Sequence, residues 1–544
     1  MNVSEFILEQ SKIRPYSVAV KAQKKSLFNF LKIGSMKYET LTFLELEQRA
    51  NHYAKALYAQ GLRRGDRVLL FVRPGIEFPV IIFSLFKAGF IPIFIDPGMG
   101  VDSMLQCIEK SGARGLIGIA KIHHLKILKP SAFASVELSF VVQGRTLGVI
   151  SLERLIKGVV NETICEQFCA TDCAAILYTS GGTGTPKGVI YTHEMFMNQI
   201  KKLKQLFKLT PEDRDYPCFP LFGLFSLSLG MTVIMPEVDL LKPSKVNGKA
   251  LVKGLLKHGI TFTTGSPALW SNVAKYAVRK KITLPRLKTI ATFGAPVSLK
   301  LHRELSLVVT SGDVYTPYGA TECLPVSCIS SREVLNDTRK LTLSGMGTCV
   351  GYPAYGVEIK ILSFDSHNYC ALGAVGEILV SSNTATPGYD HDVEGSAEAR
   401  WVEPLTKKVF HKMGDVGYVD QWDRLWFLGR KAHMISRGEI KIFTEEIEPI
   451  VNEHAQVLRS ALVESQKDIV LVIERLDGRI DLADHEYQKF TNEIKTLIAS
   501  SPKAAMVDRI ELYIDFPLDT RHNIKIDRQK LGKLIAKSTV LGLS

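Results

Sequence analysis

The sequence lacks any apolar run long enough to cross a membrane without a charge. The longest candidate, Phe78 to Ile95, carries Lys87 at its centre and is interrupted by Pro79 and Pro92. A membrane-spanning helix needs about 20 apolar residues, and a central charge is costly within it. We therefore expect a buried helix, a turn at Gly89 and a short strand here, and no transmembrane segment.

Cysteine is scarce and shows no pairing pattern. The nine cysteines are an odd number, and none belongs to a tight Cys-x-x-Cys pair typical of zinc sites. Cys165, Cys169 and Cys173 recur every four residues, which we interpret as small apolar residues stacked on one helix face. The first residues also lack the charged and apolar regions of a secretory leader. We expect a cytoplasmic protein with free thiols, with peripheral membrane association as the alternative.

Acidic residues are in deficit, since 68 Lys and Arg stand against 55 Asp and Glu, a net charge of +13. This surplus favours anionic small molecules, acidic proteins, nucleic acid or an anionic membrane surface, and selects none of them. The lysine-rich segment 201–208 has one apolar stripe at Leu203, Leu206 and Phe207, so we interpret it as a solvated helix. No aromatic stacking platform accompanies it, and nucleic acid is not expected as a partner.

The 46% hydrophobic content excludes a disordered chain. Short β-rich runs alternate with amphipathic helices through the first 430 residues, which is typical of an α/β fold with largely parallel sheets. We predict a large N-terminal domain over 1–430, made of two α/β subdomains and a β-barrel-like subdomain, and a small mobile α+β C-terminal domain over 431–544. The runs that carry this prediction are 67–72, 174–178, 189–191, 232–235, 289–293, 358–362 and 376–381 as strands, and 43–57 as a helix.

The sharpest motif is a loop rich in glycine and hydroxyl groups, Tyr178-Thr-Ser-Gly-Gly-Thr-Gly-Thr-Pro-Lys-Gly188, between two apolar strands. The backbone N–H groups of such a loop can close around phosphate oxygens, and the hydroxyls of Thr179, Ser180 and Thr183 add donors. Lys187 adds a positive charge. A Walker loop is excluded because it needs Gly-Lys-Ser/Thr opening a helix, whereas here a proline precedes the lysine and a glycine follows it.

This loop resembles the phosphate loop of the adenylate-forming superfamily, which includes acyl-CoA synthetases, peptide-synthetase adenylation domains and luciferases. Further motifs follow in the family's order at Gly294-Ala-Pro296, Tyr318-Gly-Ala-Thr-Glu322, Gly414-Asp415 and Gly429-Arg430. The resemblance implies an ATP- and Mg²⁺-dependent enzyme that converts a carboxylate to an acyl-AMP with release of pyrophosphate. It implies a nucleotide site made of Thr179, Ser180, Gly181, Gly182, Thr183, Gly184, Lys187, Gly294, Ala295, Pro296, Tyr318, Gly319, Ala320, Thr321, Asp415 and Arg430.

The resemblance also implies a role for each of the central residues. The ring of Tyr318 would stack on adenine, Asp415 would accept both ribose hydroxyls, and Arg430 would reach the same sugar. Thr321 would touch the α-phosphate. The expected metal ligands are Glu322 and Thr183, and the expected catalytic residues are Lys187, Thr321, Glu322 and Lys525.

Lys525 would supply a cation from the C-terminal domain, implied as the lid, to the first half-reaction. Its surroundings depart from the family's usual motif, since Arg521 and Ile524 replace a threonine and a glycine. Two alternatives therefore stay open: a structural, solvent-facing lysine, and a shifted loop that hands the task to Arg528.

One branch of the family is resembled more closely, the β-lactone synthetases of bacterial long-chain olefin biosynthesis. It implies adenylation of a 2-alkyl-3-hydroxy fatty acid, whose own hydroxyl then closes on the activated carbonyl and releases AMP. CoA is doubtful as a co-substrate, because Ala432, Glu439 and Thr444 replace residues usual in the hinge and thioester loop; Ala432 also predicts a smaller domain swing. The similar phrases are 219–225, 229–232, 265–269, 316–326, 347–351, 429–433 and 521–523.

The acyl chain is expected near Phe219–Phe225 and Leu324–Val326, which are apolar. His193 and His522 are candidate bases for the hydroxyl, although a structural histidine is the favoured interpretation of each. A long-chain fatty-acyl-CoA or acyl-carrier-protein ligase is the alternative function, and a catalytically silent nucleotide-binding scaffold is the alternative of another class. Other lipid or olefin biosynthesis enzymes are candidate partners.

Overall fold

The computed structural model describes residues 2–24, 37–156, 164–179, 186–366, 368–518 and 526–540. Within these ranges the strands form sheets of fourteen, seven, three and two strands. Outside the described residues lie several members of the expected site, namely Ser180, Gly181, Gly182, Thr183, Gly184, His522 and Lys525.

The strands in chain order are β1 Val18–Gln23, β2 Tyr38–Thr42, β3 Arg67–Phe71, β4 Ile91–Ile95, β5 Gly115–Gly118, β6 Leu138–Val141, β7 Ile150–Ser151, β8 Cys173–Thr179, β9 Lys187–Thr192, β10 Arg214–Pro217, β11 Thr232–Ile234, β12 Phe262–Gly265, β13 Thr289–Thr292, β14 Asp313–Ala320, β15 Cys323–Ser330, β16 Thr348–Pro353, β17 Val357–Leu362, β18 Gly376–Ser382, β19 Arg400–Val402, β20 Val409–Val419, β21 Leu425–Arg430, β22 Ile435–Arg437, β23 Ile440–Ile442, β24 Val457–Ser465, β25 Asp468–Arg475 and β26 Arg509–Leu512.

The α-helices of the described ranges are α1 Glu5–Ile13, α2 Phe43–Ala59, α3 Glu77–Ala88, α4 Val101–Lys110, α5 Ala120–Leu128, α6 Leu152–Leu155, α7 His193–Phe207, α8 Phe222–Ser228, α9 Gly248–His258, α10 Pro267–Lys280, α11 Leu299–Val308, α12 Ser331–Glu333, α13 Arg339–Thr342, α14 Val393–Glu398, α15 Glu448–Val451, α16 Asp484–Ile498 and α17 Arg528–Val540.

Two large sheets face each other across a shared core. The seven-stranded sheet has the order β7-β6-β5-β3-β4-β8-β9 and is parallel except for β9. The large sheet has β2 and β1 at one edge, then the parallel strands β11, β10, β12, β13 and β14, and continues through the antiparallel β15 and β16. Buried residues of α2, α3, α7 and α8 fill the space between the sheets, including Phe43, Phe83, Phe196 and Leu227.

The part predicted as a β-barrel-like subdomain is antiparallel and continuous with the large sheet. Strands β17, β18, β20 and β21 join it through β16 and carry a separate apolar core around Val380 and Leu425. After Arg430 the chain leaves this sheet for the hairpin β22–β23 and the three-stranded sheet β24–β25–β26. The α/β class with a small α+β C-terminal part is therefore confirmed.

Local sequence explains several element boundaries. Thr42 and Glu45 form a reciprocal capping box at the start of α2. Serine caps begin α10 and α11, where the hydroxyls of Ser266 and Ser298 accept N–H groups of the first turn. Helix α3 ends at Gly89, whose φ of 68° is in the left-handed region.

The apolar run Phe78–Ile95 folds as predicted into α3, the Gly89 turn and β4. Lys87, fully buried in α3, donates to Glu47 at 2.6 Å. Removal of either partner would leave a buried unpaired charge, at a cost of about 3–5 kcal/mol. In the described residues no helix is long and apolar enough to span a membrane.

Two sequence interpretations need correction. The lysine-rich segment 201–208 is a solvated helix face at Lys201, Lys204 and Lys208, which are exposed, but not at Lys202. Lys202 is not solvated: it is 4% exposed and donates to the Ser382 hydroxyl at 2.9 Å, because α7 packs against the end of β18. Burial lowers the pKa of its ammonium. Cys165 and Cys169 do not stack on a helix face, since they lie in irregular chain that leads into β8. All nine thiols are free.

Candidate active site

The expected phosphate loop connects two paired strands. Thr179, at the end of β8, pairs directly with Lys187, at the start of β9. A side chain at Gly188 would approach Ile176 and Tyr178 to about 3 Å, so glycine lets the returning strand lie close. The pairing of β8 with β9 therefore holds the two ends of the loop together, beside the segment that follows β18.

Lys187 has partners that the sequence motifs did not indicate. Its ammonium lies 3.6 Å from a carboxylate oxygen of Asp392. It also lies 4.5 Å from the ring centre of Tyr389, within range of a cation–π interaction. These contacts hold the ammonium at the mouth of the loop, with 28% of its side chain exposed.

The Tyr318-Gly-Ala-Thr-Glu322 motif forms a tight hairpin. Ala320 pairs with Cys323, which places Thr321 and Glu322 at the two-residue tip between β14 and β15. A side chain at Gly319 would come within 2.6 Å of the Cys323 carbonyl oxygen, so only glycine fits this turn. The hydroxyl of Tyr191, on β9, donates to the Thr321 carbonyl at 2.7 Å and ties the hairpin tip to the strand that carries the lysine.

Glu322 is held by the segment that follows β18. The Tyr389 hydroxyl donates to its carboxylate at 3.1 Å. The Thr386 N–H donates to its carbonyl at 2.7 Å and fixes its backbone at the hairpin tip. Burial and the neighbouring Glu322 carboxylate raise the pKa of the Tyr389 phenol, which keeps it a hydrogen-bond donor. Lys187, Tyr389 and Glu322 therefore form one contiguous polar chain.

The expected ribose and adenine residues also meet. Asp415, on β20, is 4% exposed and accepts a hydrogen bond from the Tyr318 hydroxyl at 2.6 Å. Its other oxygen lies 3.1 Å from Arg430, at the end of β21. The Asp415 carboxylate raises the pKa of Arg430, and burial, with the Asp415 charge, raises that of Tyr318 well above its ordinary value.

The Gly294-Ala-Pro296 segment follows β13 after one residue, Phe293. Gly294 has a φ of 95°, in the region that favours glycine, and the site of its missing side chain lies 4.0 Å from the Phe219 ring. Gly294 and Pro296 are exposed and Ala295 is half-buried. The segment thus borders the aromatic cluster described next.

The expected acyl region is aromatic and shared between several elements. Phe222 is at the centre, 4.6 Å from the Phe293 ring and 5.5 Å from the Phe225 ring. Phe219 and Leu324 pack on the same cluster. Val326 does not: it packs with Cys323 in the separate apolar core around Val380 and Leu425.

His193 is a structural residue. It is 2% exposed, its ring stacks on Phe168 at 4.7 Å, and its Nδ1 accepts the Val3 N–H at 3.2 Å. Burial lowers its pKa to about 4. His193 is therefore occupied in joining the start of the chain to α7, which agrees with its favoured interpretation.

Arg528, the alternative catalytic cation, is bound within the C-terminal part. Its guanidinium makes two contacts with the Glu448 carboxylate, at 2.5 and 2.8 Å. Nearby, Glu445 accepts a hydrogen bond from Thr348 of β16 at 2.6 Å, and burial raises its pKa to about 7. In this arrangement Arg528 is a structural partner of Glu448.

The donor groups suit a magnesium ion that is shared with phosphates. Mg²⁺ is usually bound through one or two carboxylates together with substrate phosphate oxygens, and Glu322 offers one carboxylate beside a hydroxyl donor. Within the described ranges no cluster of three or more His, Cys, Asp and Glu side chains could hold a metal by itself.

The structure therefore brings together the described members of four motifs, from Lys187 through Glu322 to Asp415 and Arg430. Sequence reasoning missed three contact residues of this site, namely Tyr191, Tyr389 and Asp392. The signal nearest to them is Pro387-Gly388, which marks a turn, and nothing local indicates which carboxylate the next tyrosine contacts.

Comparison with known proteins shows the family of the chain. Residues 16–390 match the family model of AMP-binding enzymes. The chain belongs to the AMP-binding enzyme family.

The enzyme is 34% identical to the olefin beta-lactone synthetase of Xanthomonas campestris pv. campestris, over 99% of this chain and 98% of that protein. It is also 34% identical to the olefin beta-lactone synthetase of Stenotrophomonas maltophilia, over 98% and 97%. The long-chain-fatty-acid–CoA ligase of Salmonella typhimurium is 24% identical over 78% of each chain. The enzyme is thus an ATP-dependent, AMP-forming ligase or synthetase.

Solved structures show the same fold. An anthranilate CoA ligase in complex with anthranoyl-AMP superposes with a TM-score of 0.82 at 18% identity, over 99% of this chain and 98% of that one. The amide bond synthetase of Marinactinospora thermotolerans gives a TM-score of 0.79 at 17% identity, over 98% and 99%.

Proposed function

We propose that the enzyme adenylates a 2-alkyl-3-hydroxy fatty acid and closes it to a β-lactone. The observation that carries this proposal is the 34% identity to olefin beta-lactone synthetases over nearly the whole of both chains. The fatty-acyl-CoA ligases match at lower identity and over less of the chain, and they supply the alternative function. A silent scaffold is disfavoured by the connected polar chain at the site.

In the first half-reaction the substrate carboxylate attacks the α-phosphorus of ATP, and pyrophosphate leaves. Lys187 would face the phosphates from the loop mouth, and Tyr389 would hold its ammonium there. Thr321, at the hairpin tip, would donate to the α-phosphate. A magnesium ion bound at Glu322 would offset the charge that builds up on the transferring phosphate oxygens.

The nucleoside would lie along the large sheet. Tyr318 would offer its ring to adenine while its hydroxyl orients Asp415, and Asp415 would accept the ribose hydroxyls beside Arg430. Because these three side chains already contact one another, the ribose position is preorganised before the nucleotide arrives. Gly294, Ala295 and Pro296 would complete the adenine surface, and Gly319 and Ala320 would let the hairpin approach it.

In the second half-reaction the 3-hydroxyl of the substrate attacks the activated carbonyl, its proton leaves, and AMP departs with the bond electrons. Holding the hydroxyl close to the activated carbonyl supplies much of the rate enhancement in such an intramolecular closure. The aromatic cluster of Phe219, Phe222 and Phe225 would hold the alkyl chains and exclude water that would otherwise hydrolyse the anhydride. No CoA is needed in this step.

Mass spectrometry of the products from ATP, Mg²⁺ and a panel of fatty and 3-hydroxy fatty acids tests the proposal. We expect AMP and a product lighter than the 3-hydroxy acid by one water, formed without any thiol. A strict requirement for CoA or an acyl carrier, with a thioester as product, would assign the ligase function instead. The absence of pyrophosphate release with every acid would favour the scaffold.

A further inference from the structure

One stretch of the sequence carries the whole net charge of the protein. Residues 240–303 contain 13 Lys and Arg and no Asp or Glu. Outside this stretch, 55 basic residues balance 55 acidic ones. At the chain's average of 55 acidic residues in 544, a stretch of this length would carry about six. The surplus is therefore concentrated rather than dispersed over the surface.

The fold turns this stretch into one outer layer. Helices α9, α10 and α11 connect β11 to β12, β12 to β13 and β13 to β14, and all three connections step in the same direction across parallel strands. Right-handed crossovers then place the three helices on one face of the sheet. Helix α8 steps in the opposite direction, from β10 to β11, and lies on the inner face. The outer helices pack on the sheet through their own apolar core.

The charged side chains point away from that core. Lys249 and Lys253 are one turn apart on α9, and Lys275 and Arg279 are one turn apart on α10; all four are exposed. None of the four forms an ion pair with a residue in the described ranges. Each helix also carries an exposed apolar side chain, Leu256 on α9 and Val278 on α10, which are 46% and 37% exposed.

We propose that the outer faces of α9 and α10 bind an anionic membrane surface. Electrostatic attraction to acidic lipids needs only positive charge close to the headgroups, and apolar side chains between the charges add binding by entering the interface.

The composition of the stretch favours a membrane over an acidic protein. Of its 13 basic residues, ten are Lys and three are Arg. Protein interfaces are enriched in Arg and depleted of Lys, so this ratio is opposite to that of a protein-binding surface. Docking would hold the enzyme where long-chain acids partition; this consequence rests on the proposed function, whereas the docking itself does not.

Vesicle co-sedimentation of the full chain, without nucleotide or acid, tests the proposal. The vesicles are phosphatidylcholine alone or with about 30% phosphatidylglycerol, a strongly anionic mixture. The surface variant combines Lys249→Glu, Lys253→Glu, Lys275→Glu and Arg279→Glu. The matched control combines Lys12→Glu, Lys110→Glu, Lys121→Glu and Lys489→Glu, which are exposed elsewhere and change the net charge by the same amount.

We expect the wild-type chain to sediment with anionic but not neutral vesicles, and to be released when salt rises from about 50 to about 500 mM. The surface variant should lose about a hundredfold or more in partition coefficient, while the control keeps most of its binding. Thermal melting of both variants checks that each is folded.

Three results would overturn the proposal. The first is no binding of the wild-type chain to anionic vesicles at low salt. The second is an equal loss in surface variant and control, which would reduce the effect to net charge. The third is binding to soluble polyglutamate without binding to vesicles, which would assign the surface to an acidic protein. None of these depends on whether a lactone or a thioester is formed.

Discussion

Tyr389 offers the sharpest test of the site, because a single hydroxyl connects it to Glu322. Tyr389→Phe removes the 3.1 Å hydrogen bond to the carboxylate and keeps the ring beneath the Lys187 ammonium. A hydrogen bond to a charged group contributes about 1.5–3 kcal/mol. Since Glu322 is partly exposed, water will replace some of this, and we take about 1.5–2 kcal/mol.

That free energy corresponds to a fall of roughly 10- to 30-fold in kcat/KM for ATP. The assay is pyrophosphate release at limiting Mg²⁺, where loss of carboxylate orientation weighs most. Tyr389→Leu, which also removes the ring, should lose a further factor of about 2 to 5. Thermal stability of the Phe variant should change little.

Tyr369→Phe is the matched control, since that hydroxyl donates to the Glu403 carboxylate at 2.6 Å away from the site. It should leave kcat/KM unchanged. If Tyr389→Phe behaves like Tyr369→Phe, or if its activity loss is the same at saturating and limiting Mg²⁺, the role assigned to this hydrogen bond is wrong.

Substitutions at Glu322, Lys525, Arg528 and Glu445 test the site and its surroundings further. Glu322→Gln keeps size but removes the anionic ligand, so turnover should fall by orders of magnitude while the melting temperature barely moves; a variant active at low Mg²⁺ would contradict this. Lys525→Ala should slow acyl-AMP formation by about two to three orders of magnitude and still convert a supplied acyl-adenylate. Arg528→Ala should instead lower the free energy of unfolding by about 3–5 kcal/mol, because Glu448 loses its partner. If Arg528→Ala abolishes acyl-AMP formation and Lys525→Ala leaves it intact, Arg528 is the catalytic cation. Glu445 has a folded-state pKa of about 7, above its unfolded value, so its contribution to stability is lost as pH rises towards 7. Glu445→Gln should therefore raise the free energy of unfolding at pH 8 by about 3 kcal/mol and change it little at pH 5. An equal effect at both pH values in denaturant titrations would refute the burial argument.

The strands were largely predictable, because each is a short β-rich run that can be recognised from its own residues alone. Arg67–Phe71, Cys173–Thr179 and Thr289–Thr292 lie within two residues of the predicted runs. The motif residues were predictable through resemblance, because each motif spans only a few consecutive residues. Their geometry was not, because Glu322 and Tyr389 are 67 positions apart and only the folded hairpin brings them into contact.

Lys202 shows why burial is harder to predict than periodicity. Its segment has the charge pattern of a solvated helix, yet β18 covers this one lysine. The covering strand arrives 180 residues later, so no local pattern of α7 could indicate it. Val326 shares a short apolar phrase with Leu324, and regular alternation along β15 would place both side chains on one face. The structure instead packs Val326 in the core around Val380 and Leu425 and Leu324 on the aromatic cluster.

The position of β1 and β2 has a consequence for synthesis of the chain. These strands form the far edge of the large sheet, where Val20 pairs with Val233 of β11. At about 5–20 residues per second, the ribosome needs roughly 10 to 40 s to make the intervening chain. Until then the β1–β2 hairpin has an unpaired edge, the kind of surface that promotes association between nascent chains. Strand β1 must therefore wait for a partner that lies about 200 residues later in the chain.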